Sequence, residues 1–149
     1  MDFRLSKEQQ GLQEKCRKLA ADFATRSARH DRDASHPIEN YQRLRDEGFL
    51  ALSVARERGG AGAGFLDHTI AYEALGHGCP STALAFNMHA SVVIPLLQSP
   101  EVPEETKQRI AKTVVEDRKV IAGNFSEPLT TSLIGARPLK TRAADCGRL

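Results

Sequence analysis

The sequence has few of the residues that build metal sites or disulfide frameworks. Its three cysteines, Cys16, Cys79 and Cys146, lie far apart, are odd in number and form no Cys-x-x-Cys pair. This pattern indicates neither a disulfide framework nor a zinc site. The five histidines show no His-Glu-x-x-His or other metal-ligand spacing. We therefore predict that the chain binds no metal.

An excess of charge of one sign is also absent. The chain has 21 Lys and Arg residues against 19 Asp and Glu residues, which leaves a net charge of +2. That balance is too even to favour nucleic acid or an anionic membrane as the partner. The Arg-rich stretch at residues 26–32 is interrupted by Asp31, so it indicates a solvated helix end.

Long hydrophobic runs are missing as well. The most apolar stretch, residues 92–97, is short and contains Pro95, so we predict no membrane span. Residues 1–5 lack the apolar core of a signal peptide. Because no disulfide pattern points to an oxidising compartment, we expect a cytoplasmic protein.

The common nucleotide-binding and hydrolase motifs are not found. Residues 59–64 are glycine-rich, but they contain no Gly-x-Gly-x-x-Gly register and no Gly-Lys-Ser/Thr follows. We therefore predict a turn before a helix. No Gly-x-Ser-x-Gly motif occurs, and nothing in the sequence marks Cys79, two residues after His77, as a nucleophile.

What the sequence does contain is a series of five predicted helices between residues 6 and 118. Ser6-x-x-Gln9 is a capping box, and the helix it begins is predicted to end near Ala28. Its apolar stripe consists of Leu12, Cys16, Leu19, Ala20 and Phe23.

A second, shorter helix is predicted to begin at Pro37 and to be capped by Gly48. Its core-facing residues are predicted to be Ile38, Tyr41 and Leu44. The apolar run at residues 49–54 is too short for a good helix, so we predict an extended connector there.

The remaining helices follow the same apolar periodicity. The third contains Leu66, Ile70, Ala71, Ala74 and Leu75, and the fifth, opened by Pro103, buries Ile110, Ala111, Val114 and Val115. The fourth starts at Pro80, is apolar nearly all round and is predicted to be the most buried. Pro95 is expected to kink or end it after Ser91. His89, within it, is better explained as a hydrogen-bonded core histidine than as a site residue.

The periodicity changes after residue 118. Residues 120–125 form a short apolar run that starts with β-branched side chains and is closed by Pro128, which predicts a strand. Residues 139–144 predict a second strand. We therefore predict a mainly α fold in two parts: an N-terminal helical bundle, residues 1–118, and the first strands of a truncated β domain, residues 119–149.

The end of the first predicted strand is rich in hydrogen-bonding side chains. Ser126 and Glu127 precede Pro128, and three further hydroxyls follow at Thr130, Thr131 and Ser132. Hydroxyls and free backbone N–H groups at a strand end suit a phosphate or the edge of a heterocycle. The same residues are also ordinary turn formers, which leaves both interpretations open at this point.

Asn124-Phe125-Ser126-Glu127-Pro128 resembles the Ala-Leu-Thr-Glu-Pro signature of acyl-CoA dehydrogenases. Ser126 keeps the hydroxyl of the family's Thr. Ser132 keeps the Ser of the Gly-Ser-Asp that usually follows, whereas Thr131 and Leu133 depart from it. Residues 46–62 are similar to a glycine-containing segment of the same family, where it has a structural role.

The resemblance implies an FAD-dependent oxidoreductase of fatty acid metabolism that acts on the CH–CH bond of an acyl-CoA, with flavin as the hydride acceptor. It implies that Phe125, Ser126, Thr131 and Ser132 contact FAD, and that the complete enzyme is a homo-oligomer. The family's catalytic glutamate lies in a C-terminal helical bundle. We therefore expect no catalytic residue in this chain, which holds only part of a flavin site.

Two other functions remain open from the sequence. One is a flavin-dependent monooxygenase built on the same fold, because such relatives tolerate a different loop at Thr131 and Leu133. The other is a non-catalytic helical module whose partner covers the open edge of the β segment.

Overall fold

The computed structural model describes residues 4–123 of the chain. In this range it contains five α-helices: α1 Lys7–Arg32, α2 Ile38–Asp46, α3 Phe65–Gly76, α4 Pro80–Gln98 and α5 Glu104–Val115. Two short 3₁₀ helices, Phe49–Ala51 and Arg56–Arg58, connect α2 to α3. The mainly helical prediction is confirmed for this part. No strand occurs between residues 4 and 123, so residues 120–123 are not a strand, and the rest of both predicted strands lies outside the described residues.

Helix α1 begins as its capping box predicts. The backbone N–H of Gln9 donates to Ser6 Oγ at 3.1 Å, and the N–H of Ser6 donates to Gln9 Oε1 at 3.0 Å. The predicted stripe is buried at Cys16, Leu19, Ala20 and Phe23. The predicted end at Ala28 is wrong, because the helix continues to Arg32, where basic side chains favour the negative end of the helix dipole.

The core forms two clusters at different positions along α4. In the larger one, α1 packs on α3 and α3 packs on α4; it includes Cys16, Phe23, Leu44, Phe49, Leu75 and Phe86. The smaller one lies where α4 meets α5 and consists of Leu50, Val54, Val93, Ala111 and Val114. Together the two clusters hold the five helices as one body.

The extended connector predicted for residues 49–54 is wrong. Gly48 adopts a left-handed conformation with φ of +77°, Phe49–Ala51 then forms a 3₁₀ helix, and residues 52–54 form a turn and a bend. Neighbouring side chains of such a helix point in different directions. Phe49 enters the larger cluster, and Leu50 enters the smaller one.

The predicted inner face of α2 is partly wrong. Leu44 is fully buried, but Ile38 is 59% exposed. The buried position at the start of this helix belongs instead to Asn40, which is 0% exposed. Two residues along a helix correspond to a rotation of about 200°, so Asn40 inside places Ile38 outside.

Helix α4 differs from its prediction in two ways. It continues through Pro95 to Gln98, so the predicted end at this residue is wrong, whereas the predicted alternative, a kink, is not tested. It is not buried all round, since Leu84 is 55% and Met88 is 43% exposed.

By length and composition α4 could also cross a membrane, with a mean hydropathy of 1.2. The apolar stretch is therefore longer than residues 92–97, from which no membrane span was predicted. However, α4 packs on both α3 and α5 and buries Ala83, Phe86 and Val93. A core helix accounts for this composition.

The glycine-rich loop is a structural turn, as predicted. Its backbone N–H groups point back to the preceding segment: Gly62 donates to the carbonyl of Val54 at 2.8 Å, and Ala63 donates to that of Leu52 at 2.9 Å. These donors are therefore not free to hold a phosphate.

Close backbone contact between α1 and the α3–α4 turn requires glycine at position 78. A Cβ on Gly78 would collide with the backbone carbonyl of Ala20 in α1. We expect Gly78→Ala to lower the free energy of unfolding by about 1–3 kcal/mol, as overpacking does. The measurement is urea denaturation.

The matched control is Gly11→Ala in α1, where an added Cβ would meet no atom within 4 Å. This change should stabilise the protein by about 0.5–1 kcal/mol, because alanine favours a helix interior over glycine. A Gly78→Ala variant that is as stable as the wild type would contradict the predicted contact.

Candidate functional site

An apolar groove runs along the outer face of α4. Leu84 and Met88, one helical turn apart on α4, form one wall, and Ile38 of α2 faces them. Val120, which is 43% exposed, closes the groove where the chain returns after α5. The groove has a volume of about 600 Å³, within the range of small-molecule sites, about 300–1,000 Å³.

Polar groups are few in the groove and lie at its edges. Tyr41 stacks on His36 with ring centroids 4.7 Å apart. Arg45 lies at the rim, and its Nε donates to the carbonyl of Arg118 at 2.9 Å. No Asp or Glu of the described range lines the groove. The site is therefore suited to an apolar ligand.

His89 connects the groove to the core. It is 1% exposed, and its Nδ1 accepts the backbone N–H of Ile121 at 2.9 Å. Its Nε2 lies 2.9 Å from the carbonyl oxygen of Leu50, which can only accept a hydrogen bond. The proton is thus on Nε2 and the ring is neutral, which confirms the prediction of a hydrogen-bonded core histidine.

A second buried histidine lies close by. His68 is 6% exposed, and its Nε2 is 3.4 Å from Asn87 Oδ1. His68 Nδ1 and Ser53 Oγ are both buried without a hydrogen-bond partner among the described residues, and both residues line a cavity of about 10 Å³. Burial lowers the pKa of His68, against a smaller opposing effect of the Asn87 hydrogen bond.

Cys79 lies at the start of α4 in a network of hydrogen bonds. Thr82 Oγ1 donates to its Sγ at 3.1 Å, and Asn40 Nδ2 donates to Thr82 Oγ1 at 2.8 Å. Burial alone would raise the pKa of this thiol, but the hydrogen bonds from Ser81 and Thr82 outweigh it and lower the pKa. The sequence did not indicate this. Because Cys79 is 1% exposed, the network is structural and offers no accessible nucleophile.

The predicted cofactor-binding residues, Phe125, Ser126, Thr131 and Ser132, lie outside the described residues, so their prediction is not tested. The described chain does reach their neighbourhood, because residues 120–122 line the groove directly before the motif. Between residues 4 and 123, no group of three or more His, Cys, Asp or Glu side chains could hold a metal ion.

The groove residues Ile38, Leu84 and Met88 were not predicted from the sequence. A signal for Leu84 and Met88 was present, because α4 is apolar on nearly all sides. A helix of this kind at the edge of a domain exposes an apolar face, whereas the pattern was interpreted as burial of the whole helix.

Comparison with known sequences identifies the family. The family model described as "Acyl-CoA dehydrogenase, N-terminal domain" matches residues 6–116, a range that contains all five α-helices. The chain belongs to the acyl-CoA dehydrogenase family. This confirms the resemblance noted from the motif at residues 124–128, although the matched range lies before that motif.

Three similar proteins illustrate the relationship. The putative acyl-CoA dehydrogenase YdbM of Bacillus subtilis is 32% identical over 88% of this chain and 34% of its own length. The short-chain specific acyl-CoA dehydrogenase of Clostridium acetobutylicum is 28% identical over 92% of this chain and 36% of its own. The mitochondrial short-chain specific enzyme of Homo sapiens is 30% identical over 93% of this chain and 34% of its own. This family member thus spans about a third of the length of the curated relatives it matches.

The lowered pKa of His68 makes the stability of the domain depend on pH. The usual histidine pKa is 6.5, so the unfolded chain takes up a proton at a higher pH than the folded one. The stabilising contribution is complete above pH 6.5 and is lost as the pH falls toward the lower pKa of the folded state. We expect the free energy of unfolding to decrease as the pH falls below about 6.5, and to decrease less in His68→Gln.

The control is His77→Gln, which removes a histidine whose side chain is 76% exposed. This variant should lose stability with falling pH as the wild type does. Urea denaturation at each pH provides the measurement. The same loss in His68→Gln as in the wild type would show that His68 does not cause it.

Proposed function

We propose that this chain is the N-terminal part of an FAD-dependent acyl-CoA dehydrogenase and that its groove binds the acyl chain of the substrate. The observation that carries the proposal is the apolar groove of Ile38, Leu84 and Met88, which is also lined by residues 120–122, just before the motif at residues 124–128 in the sequence. The cytoplasmic location and the homo-oligomeric state expected of the complete enzyme are parts of the same proposal.

The chemistry of the groove supports an acyl ligand. An alkyl chain gains about 0.8 kcal/mol for each CH₂ group that it buries. The exposed apolar side chains of α2 and α4 offer such burial, and no carboxylate of the described range lines the groove. The three relatives described above are named for action on acyl-CoA thioesters, which supports the same class of substrate here.

The residues proposed to hold FAD have suitable chemistry. Ser126, Thr131 and Ser132 carry hydroxyls that can donate to heterocycle and phosphate oxygens, and Phe125 is an apolar surface for a ring. The cofactor, when bound, would accept the hydride removed from the substrate. The lining of the groove in the described range includes no carboxylate, whereas the base of the family is a glutamate. We therefore assign proton abstraction to a residue outside this range.

The test is anaerobic mixing of the protein, purified from its source, with acyl-CoAs of increasing chain length. We expect bound flavin whose visible absorbance is bleached by the acyl-CoA. Flavin that is reduced only by an external reductant would overturn the dehydrogenase proposal in favour of a monooxygenase. A protein without flavin that forms a stable complex with a second chain would support the non-catalytic module instead.

A charged side chain in the groove should weaken binding of the acyl chain. We expect Met88→Glu to raise KM for a medium-chain acyl-CoA by at least about tenfold, because the carboxylate would lose water against the alkyl chain. The effect should diminish as the acyl chain is shortened. Steady-state kinetics with substrates of two chain lengths provide the measurement.

The matched control is Ser91→Glu, a second exposed position on α4 that does not line the groove. It introduces the same charge into the same helix and should leave KM unchanged. An equal rise of KM in both variants would mean that the groove does not hold the acyl chain.

A further inference from the structure

A few hydrogen bonds attach the chain that follows α5 to the helical body. The N–H of Lys119 donates to the carbonyl of Thr113 at 3.0 Å, and Arg45 Nε donates to the carbonyl of Arg118. The last contact before the motif is the hydrogen bond from the N–H of Ile121 to His89 Nδ1, at 2.9 Å. Beyond this point the chain continues through Gly123 into Asn124.

We propose that His89 is a positioning residue that fixes the path of the chain from α5 into the motif at residues 124–128. It does so by presenting an oriented acceptor, Nδ1, to the backbone of Ile121. For its effect on flavin, the proposal rests on the function proposed above; for the path of the chain, it rests on the hydrogen bonds alone.

The orientation of the acceptor is set from within the core. The carbonyl of Leu50, in the first 3₁₀ helix, accepts the Nε2 proton of His89. This contact fixes the tautomer, so the lone pair of Nδ1 faces the segment at residues 120–122. Both His89 and Leu50 are buried, at 1% and 6% exposure, which restricts rotation of the ring.

The hydrogen bond to Ile121 explains an imidazole at position 89 better than packing in the core does. Neighbouring buried positions of α4 carry Phe86 and Val93, and an apolar side chain at position 89 would fill the same space without desolvating polar nitrogens. What an apolar residue lacks is an acceptor for Ile121. That backbone donor belongs to neither a helix nor a strand, so no regular structure satisfies it.

Two substitutions separate the two hydrogen bonds of the ring. In His89→Asn, the side-chain oxygen can take the place of Nδ1 and keep the contact to Ile121, whereas the donor to Leu50 is lost. In His89→Gln, the amide nitrogen can take the place of Nε2 and keep the contact to Leu50, whereas the acceptor for Ile121 is lost. Both variants replace the ring by a smaller amide, so each serves as the control for the other.

The first measurement is hydrogen exchange of residues 119–123, followed by mass spectrometry on the complete protein. We expect wild-type protection in His89→Asn and exchange faster by on the order of tenfold in His89→Gln. The second measurement is FAD affinity, which should be weakened in His89→Gln and retained in His89→Asn. Urea denaturation of both variants shows whether they differ in global stability.

Protection of the segment in His89→Gln, or an FAD affinity that simply follows global stability in both variants, would overturn the proposal. The wild type could fail to bind FAD while the variants show the expected exchange pattern. This outcome would support the role of His89 in the path of the chain. That result would overturn the proposed function instead, so the two failures are distinguishable.

A second pair of variants tests the contact from the other side and leaves His89 intact. Ile121→Pro removes the donor, and Val120→Pro removes an N–H that has no hydrogen-bond partner among the described residues. We expect faster exchange around residues 121–123 only in Ile121→Pro. Equal exchange in the two variants would contradict the proposal even if the histidine variants do not fold.

Discussion

Helix α4 imposes the main constraint on this domain, because it is apolar on all sides and cannot expose its whole surface to water. One side is covered by α3 and α5, through Phe86 in the larger cluster and Val93 in the smaller one. The other side, with Leu84 and Met88, is left to the groove. Helices α3 and α5 thus cover α4 on one side, and α1 packs on α3.

Buried polar side chains then fix how the connecting segments lie against α4. Asn40 and Thr82 join α2 to the start of α4, and His89 joins the 3₁₀ helix at residues 49–51 to the chain at Ile121. Such contacts are directional, whereas apolar packing is not. They therefore determine where the chain runs next, which matters most at Ile121, directly before the motif at residues 124–128.

Membership of the acyl-CoA dehydrogenase family rests on the five-helix range, residues 6–116, and not on the motif that first suggested it. The groove is consistent with that membership, since its apolar wall can bind an acyl chain. Under the proposed function, this domain positions the acyl chain and a residue outside the described range removes the proton.

The sequence by itself determined the helices and most of their starts, because capping residues, prolines and apolar periodicity act over a few neighbouring residues. Ser6 with Gln9, Gly48 and Pro80 are examples. It also carried the family motif. Only the tertiary structure decided that residues 49–51 form a 3₁₀ helix, that Asn40 rather than Ile38 faces inward, and that α4 continues through Pro95. The inward position of Asn40, which bonds Thr82, and the pairing of His89 with Leu50 and Ile121 depend on partners distant in the chain. Local pattern contains no information about such partners.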